Sequence, residues 1–409
     1  MSSTNTIRAS VPAVAVGATG LVTFGTLAAT MMQALDTTIA NVALPHMQGS
    51  LSASQEQVAW VLTSYIVASA IATTPTGYLA NRYGVKRIFL IAIVGFTVAS
   101  MLCGIASSLA EIVFFRLLQG VFGAALVPLS QTTLLDSYPP EKQGAAMAAW
   151  GVGVMIGPIL GPALGGWLTE YYSWRWVFYI NLPIGIATFF ALKSALPDSE
   201  SRRAEPMDFS GFLFLSVAIA SLQLMLDRGQ SLDWFQSTEI FIECGIAIAA
   251  FYLFITHTLT TDKPFIPPQL FRDRNLVGGL VLIAVLGIVL FSTFALLPPF
   301  LQRLQGYPVV TAGLVMMPRG IGTMIAMQIS GHILNRVDAR LPIFFGMLLL
   351  AIALYWMSTF SLDVGAQEIV YSGMIQGLGL GFIFVPLSAV TFSTLAPKYR
   401  GEGTSLFSL

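Results

Sequence analysis

The sequence predicts an all-α polytopic membrane protein, built as two pseudo-repeated six-helix halves with two additional helices between them. Three observations predict it. Of 409 residues, 55% are hydrophobic and only 10% are charged, where soluble domains carry about 25% charged residues; mean hydropathy is +0.76. Apolar stretches of the roughly 20 residues needed to cross a bilayer recur twelve times along the chain. A glycine- and arginine-containing loop that follows the second stretch returns after the tenth.

The expected spans are roughly 17–44, 58–80, 88–107, 111–134, 145–168, 175–195, 208–227, 239–259, 276–300, 310–331, 341–361 and 368–391. The first apolar stretch is far longer than the 7–15-residue core of a secretory signal, so it reads as a helix that stays. Lys and Arg set the orientation. With the N-terminus cytoplasmic, fifteen of the 20 basic residues fall in inside loops and three outside; Arg116 and Arg319 remain within spans. The formal net charge of zero suggests no nucleic-acid partner. Cys103 and Cys244 fall in apolar segments and read as buried thiols, not a disulfide.

The repeat fixes the organisation. Gly77-Tyr-Leu-Ala-Asn81-Arg82-Tyr-Gly84-Val-Lys86-Arg87 aligns with the segment from Gly331 through Asn335 and Arg336 to Arg340, at an offset of 254 residues. Gln119-Gly120 recurs as Gln376-Gly377, and Val127-Pro128-Leu129-Ser130 as Val385-Pro386-Leu387-Ser388. Repeated halves with weak self-similarity mark secondary transporters, whose site lies at the membrane midplane between the halves. The expected units are an N-terminal six-helix bundle over 1–196, a linker with two extra spans over 197–270, and a C-terminal bundle over 271–409. That last bundle holds about four complete spans, and two more are expected beyond Leu409.

Four motifs then carry a resemblance. They are Leu35-Asp36-Thr37-Thr38-Ile39-Ala40-Asn41-Val42-Ala43-Leu44-Pro45, the 77–87 loop, Arg116-Leu-Leu-Gln119-Gly120-Val-Phe-Gly123-Ala124, and the fifth-span run from Gly153 through Gly157-Pro158 and Gly161-Pro162 to Gly165-Gly166. Together they resemble the major facilitator superfamily, specifically its fourteen-helix drug:proton antiporters. Trp174-Arg175-Trp176 through Asn181-Leu-Pro183 and Leu226-Asp227-Arg228-Gly229 resemble the EmrB-type multidrug efflux permeases of that family. The resemblance covers the whole chain. It departs at Asn81, where the family usually has Asp, and in the family's last two helices. It implies the major facilitator fold and export of hydrophobic or amphipathic small molecules in exchange for protons across a bacterial inner membrane. In a Gram-negative cell it also implies a periplasmic adaptor and an outer-membrane channel.

The residues themselves give a parallel reading. Asp36 is an acid inside a membrane-length helix, which is costly and by default functional. It lies roughly 12 Å in from Leu44, and Arg116 roughly 7 Å in from the same side, so the arginine stem can reach it. The pair reads either as a proton site or as a static ion pair between the first and fourth spans. The position matching Arg116 in the second half is Gly373, and this one-sidedness favours coupling over architecture. Gln33, Asn41, Gln119 and Gln376 are polar at similar depth; each reads as an interhelical hydrogen bond or as a substrate contact. Arg319 lies near mid-depth and reads either as facing the cavity, toward an anionic substrate or Asp36, or as capped by backbone carbonyls. Gly153, Gly157, Gly161 and Gly165 put small residues on one helix face, beside Pro158 and Pro162; close packing suffices to explain them, and the resemblance ties the pattern to exporters. Gly77, Asn81, Arg82, Gly84, Lys86 and Arg87 read as a tight cytoplasmic turn, either topogenic or a gating contact. His46, His257 and His332 lie far apart in sequence near span ends. With no metal-ligand cluster, phosphate loop or nucleophile elbow, the chain is expected to be no enzyme, to hold no metal or cofactor, and to draw on an ion gradient.

Overall fold

The computed structural model describes residues 16–197, 207–334, 336–396 and 399–409. The first half comprises α1 (Val16–Ser50), α2 (Gln55–Thr73), α3 (Thr76–Tyr83), α4 (Val85–Ile105), α5 (Leu109–Gly123), α6 (Leu126–Ser137), α7 (Pro140–Tyr171), α8 (Trp176–Tyr179) and α9 (Asn181–Ala195). The hairpin between the halves is α10 (Phe209–Arg228) and α11 (Thr238–Thr260). The second half comprises α12 (Arg274–Pro299), α13 (Val309–Ile333), α14 (Arg340–Ser358), α15 (Ala366–Ser393) and α16 (Arg400–Ser408).

Each of the twelve expected spans falls on one helix or on two consecutive ones. Among the described residues, nine helical stretches are long and apolar enough to cross a membrane, or ten with the pair α2–α3, whose axes meet at 52°. Two further helices, α1 of 35 residues and α13 of 25, carry Asp36 and Arg319. The breaks were not expected. That between α2 and α3 falls at Thr74-Pro75, where proline supplies no backbone N–H to the helix ladder. After α12, Pro298 and Pro299 are followed by a π-helical turn at Phe300–Leu304.

The molecule is apolar outside and polar at its centre. Phe291, Leu296 and Phe344 are about 70% exposed, while Arg116, Gln119, Asn181 and Gln376 are fully buried. An aqueous fold would reverse this order; a bilayer favours it. Loop chemistry sets the helix ends. Ser54 and Gln57 form a reciprocal capping box at α2. Arg175 stacks 4.5 Å from the Trp174 ring and donates to the Gly104 and Ala106 carbonyls at the end of α4, where the helix dipole is negative.

The end that carries Arg82, Lys86 and Arg87 is termed the basic end. The halves meet there. α16 packs on α3 and α6, and α7 packs on α13 and α15. The Trp150 ring of α7 stacks on Phe384 of α15 at 5.8 Å. Thr132 and Thr404 share a hydrogen bond of 2.9 Å, and Arg400 donates to Asp136 at 2.9 Å. The hairpin joins the first half at its other end, where Thr63 of α2 donates to Asp227 and the Arg228 guanidinium lies 5.7 Å from the Trp60 ring. Cys103 is a buried free thiol, whereas Cys244 is a free thiol only half-buried, because α11 turns much of its surface outward.

Candidate functional site

α1 reaches the centre of the first half because α7 offers it a face without side chains. A methyl at Gly157 or Gly161 would overlap the Ala34 backbone or the Thr38 hydroxyl, Gly153 abuts Leu27 and Gly165 abuts Ile39. The four glycines therefore serve the α1–α7 approach. Pro158 and Pro162 sit on the same helix, and their side chains lie outside the described residues.

That approach places Asp36, 2% exposed, among three donors from two other helices. Arg116 Nη1 of α5 donates to its Oδ2 at 2.6 Å. Gln119 Nε2, one turn further along α5, donates to Oδ1 at 2.8 Å, and Asn181 Nδ2 of α9 donates to the same oxygen at 3.1 Å. Asn181 also donates to Ser100 Oγ at 2.9 Å, and Ser100 to the Phe178 carbonyl at 2.9 Å. Three of the carboxylate's roughly four lone-pair directions are thus addressed by a polar group. Buried charges persist only under such satisfaction.

Arg116 is held by more than the acid. Its Nη1 also donates to Gln119 Oε1 at 2.8 Å, and its Nε to the Val61 carbonyl of α2 at 3.0 Å. Its guanidinium lies 4.2 Å from the Tyr65 ring and 5.8 Å from that of Phe178, in the range of cation–π attraction. The cation therefore has other partners to keep if the carboxylate is neutralised. A proton arriving at Oδ2 competes with a single donor, Arg116; at Oδ1 it competes with two amides.

The sequence-predicted residues divide into four groups. Asp36, Arg116 and Gln119 come together. Gln33, one turn before Asp36, has a buried Oε1 that accepts no hydrogen bond among the described residues. Asn41 is not brought to the cluster: it is exposed and donates only to Thr37 of its own helix at 3.4 Å. Arg319, 6% exposed, and Gln376 lie in the second half, where Gln376 Nε2 donates to Thr293 Oγ1 at 2.8 Å. Asn181, Tyr65, Ser100 and Thr293 carry no predicted role. Asn181 stood in a motif, and its burial in an apolar run was the available signal.

The 77–87 loop reaches across to the other half. The Gly77 N–H donates to Ser405 Oγ at 3.1 Å, and a methyl on Gly77 would overlap the Gly401 backbone. Asn81 Nδ2 donates to Glu402 Oε1 at 3.0 Å; an aspartate there would set two carboxylates against each other. Arg82 donates to the Tyr78 hydroxyl at 2.6 Å. Gly84 has φ of +93°, which favours glycine. Lys86 is half-buried and Arg87 exposed. Of the repeated loop, Gly331 packs on Ala148 of α7, while Asn335 lies outside the described residues.

Known proteins resemble this chain in sequence and in fold. The family model of the Major Facilitator Superfamily matches residues 26–409. The chain is 40% identical to the multidrug export protein EmrB of Escherichia coli over 92% of this chain and 74% of that one. It is 40% identical to the fatty acid resistance protein FarB of Neisseria gonorrhoeae over 89% and 72%. Among solved structures, the proton:xylose symporter XylE superposes with a TM-score of 0.70 at 15% identity, covering 96% of this chain and 85% of that one. The human organic anion transporter MFSD10 superposes with a TM-score of 0.66 at 16% identity, covering 95% and 88%.

Proposed function

The chain belongs to the major facilitator superfamily, and from that premise we propose that it is a multidrug efflux transporter that exchanges protons for hydrophobic or amphipathic small molecules. It is a multi-pass membrane protein whose relatives are named as exporters, not enzymes. The observation that carries the coupling is the buried Asp36–Arg116 contact. An ionised Asp36 holds Arg116; a protonated Asp36 releases it to Gln119, Val61 and Tyr65. Two arrangements of one buried cation, selected by a proton, are the kind of bistable element that alternating access needs. Asp36 is the proton carrier and Arg116 its competitor. Gln33 and Gln119 near that site, Arg319 and Gln376 in the second half, and Asn41 at the edge of α1 are the substrate contacts.

Further assignments follow from the same reading. The basic end lies in the cytoplasm with the N-terminus, in the inner membrane. The contacts of Gly77, Asn81 and α16 then close the cytoplasmic side, with Arg82, Gly84, Lys86 and Arg87 shaping the loop that makes them. A periplasmic adaptor and an outer-membrane channel complete the route in a Gram-negative cell. The proton gradient supplies the energy, with no cofactor. The relative named for fatty acid resistance favours a second reading, an exporter of one chemical class.

The test uses the full-length protein in liposomes with an imposed pH gradient, with Asp36→Asn beside wild type. Wild type is expected to accumulate several unrelated drugs, and Asp36→Asn to lose gradient-driven accumulation. Unchanged drug-coupled proton flux in Asp36→Asn would sink the coupling assignment. Activity toward a single class would favour the narrow reading.

A further inference from the structure

α16 meets the first half through its own first turn. Glu402 stands in that turn, and its Oε1 accepts from Asn81 Nδ2 of α3 at 3.0 Å. Its second carboxyl oxygen, Oε2, is buried and takes part in no hydrogen bond among the described residues. The contacts around it seal the seam: the Gly77 N–H donates to Ser405 Oγ, Thr132 bonds to Thr404, and the Gly401 backbone lies against Gly77. A carboxyl group is thus held between the halves at the basic end, with a neutral amide as its hydrogen-bond donor.

The elements that pack against α16 are α3, α6, α12 and α2, and their charged groups are engaged elsewhere. On α3, Arg82 donates to the Tyr78 hydroxyl and lies 5.5 Å from the Tyr83 ring. On α6, Asp136 accepts from Arg400. On α12, Arg274 is exposed, and Asp273 caps the helix and accepts from Thr394. On α2, Glu56 stands in the first turn, far from α3, and Tyr65 lies over Arg116 in the Asp36 cluster. Arg400 belongs to α16 itself, two positions from Glu402, a spacing that does not put two side chains on one helix face. Among the described residues, no cation stands within ion-pair distance of Glu402.

We propose that Glu402 is a second proton-binding site, a latch on which the basic end closes when the acid is protonated and opens when it is ionised. Burial disfavours the charged form of a carboxyl group, and an ionised oxygen left without a donor bears that cost in full. Protonated Glu402 keeps the bond from Asn81 and carries no charge. When the halves part, water reaches both oxygens, the penalty on ionisation goes, and the proton leaves to that water. The N-terminus of α16 favours the ionised form, but it stays with Glu402 in both states and leaves their difference unaltered. Arg400 also stays with it, and Asp136 offsets that arginine only while the halves are joined, which works in the same direction as burial. The closed state therefore holds the proton more tightly, so closure is favoured as pH falls and lost as pH rises. With the basic end in the cytoplasm, an exchanger that admits protons is held shut by the acidity it creates. Only that choice of compartment rests on the reading above.

The test places spin labels at Arg87 and Arg340 of the full chain in nanodiscs. Electron-resonance distances are read from about pH 5 to about pH 9, a range that spans the titration of a buried carboxyl group. Asp36→Asn is the background, so that the other buried acid is silent. There the ratio of open to closed molecules is expected to rise about tenfold with pH, which corresponds to a tenfold difference in proton affinity between the two states. Glu402→Gln keeps the shape of the side chain and an oxygen for Asn81; it should flatten the profile and leave the basic end closed throughout. Asn81→Asp combined with Glu402→Gln moves the acid to the other half and should restore the slope. A slope that Glu402→Gln leaves unchanged overturns the latch. So does a basic end that closes as pH rises, or one indifferent to pH in the Asp36→Asn background. A flat profile in the exchanged pair reduces position 402 to packing and overturns it as well. The readout involves no drug, so it stands or falls apart from the exporter reading.

Discussion

The two halves share a helix order but not a charge arrangement. Around Gln119 the first half assembles a network in which Asp36 accepts from Arg116, Gln119 and Asn181, and Arg116 also donates to the Val61 carbonyl. Around Gln376 the second half places Thr293 where the first has Asp36, and glycine where the first has Arg116. Duplicated architecture with unequal chemistry allows division of labour. The acid-bearing cluster suits a proton, which needs no room and competes for a lone pair.

The largest expected effect breaks the acid-bearing side of this comparison. Arg116→Ala strands a buried carboxylate, which costs about 3–5 kcal/mol while it stays ionised; it should lower the thermal midpoint in nanodiscs and abolish most transport. Arg116→Lys keeps a cation and should retain some activity. Full transport by Arg116→Ala would make the arginine merely structural. A middle-sized effect separates the repeated loops. Gly77→Ala meets three backbone atoms of Gly401 and Glu402, and Gly331→Ala chiefly one side-chain atom, Ala148 Cβ. Overpacking of this kind costs about 1–3 kcal/mol, so Gly77→Ala should open the basic end more. Electron-resonance distances between spin labels at Arg87 and Arg340 would report it, and equal distributions for the two variants would remove the distinction. The smallest effect sharpens the contrast within each cluster. Gln376→Leu removes one hydrogen bond, worth about 0.6 kcal/mol in a membrane protein. Gln119→Leu removes bonds to both Asp36 and Arg116 and should cost at least twice as much in thermal denaturation.

How much of this was legible follows from how loudly each residue type speaks in an apolar run. Asp36 and Arg116 stand out because ionised groups are rare there, and their similar depth foretold their contact. Asn181, Tyr65 and Thr293 give no such signal. A hydroxyl in a span commonly bonds back to its own helix, as Thr26 and Thr30 do, and Thr293 does so too, donating to Val289 while accepting from Gln376. Sequence alone cannot separate the two uses. The spans were visible through apolar length, but the break after Gly123 was not, since it lies inside an apolar stretch; at Thr73-Thr74-Pro75-Thr76-Gly77 the proline was the available signal. The packing of Gly77 on Gly401 required two segments more than 300 residues apart to be seen together.

α7 offers one last consequence. It turns glycines toward α1 at 153, 157, 161 and 165, and toward α13 at 144 and 151, where Leu334 and Met327 lie against it. Helices that interlock through long side chains move past each other in notches, each requiring rotamers to release and re-engage. A helix that is bare on two sides has few teeth. At this joint between the carriers of Asp36 and Arg319, few α7 side chains have to disengage, Trp150 against Thr30 and Ile159 against Gly320 among them. Roughening that joint should slow turnover more than it lowers affinity.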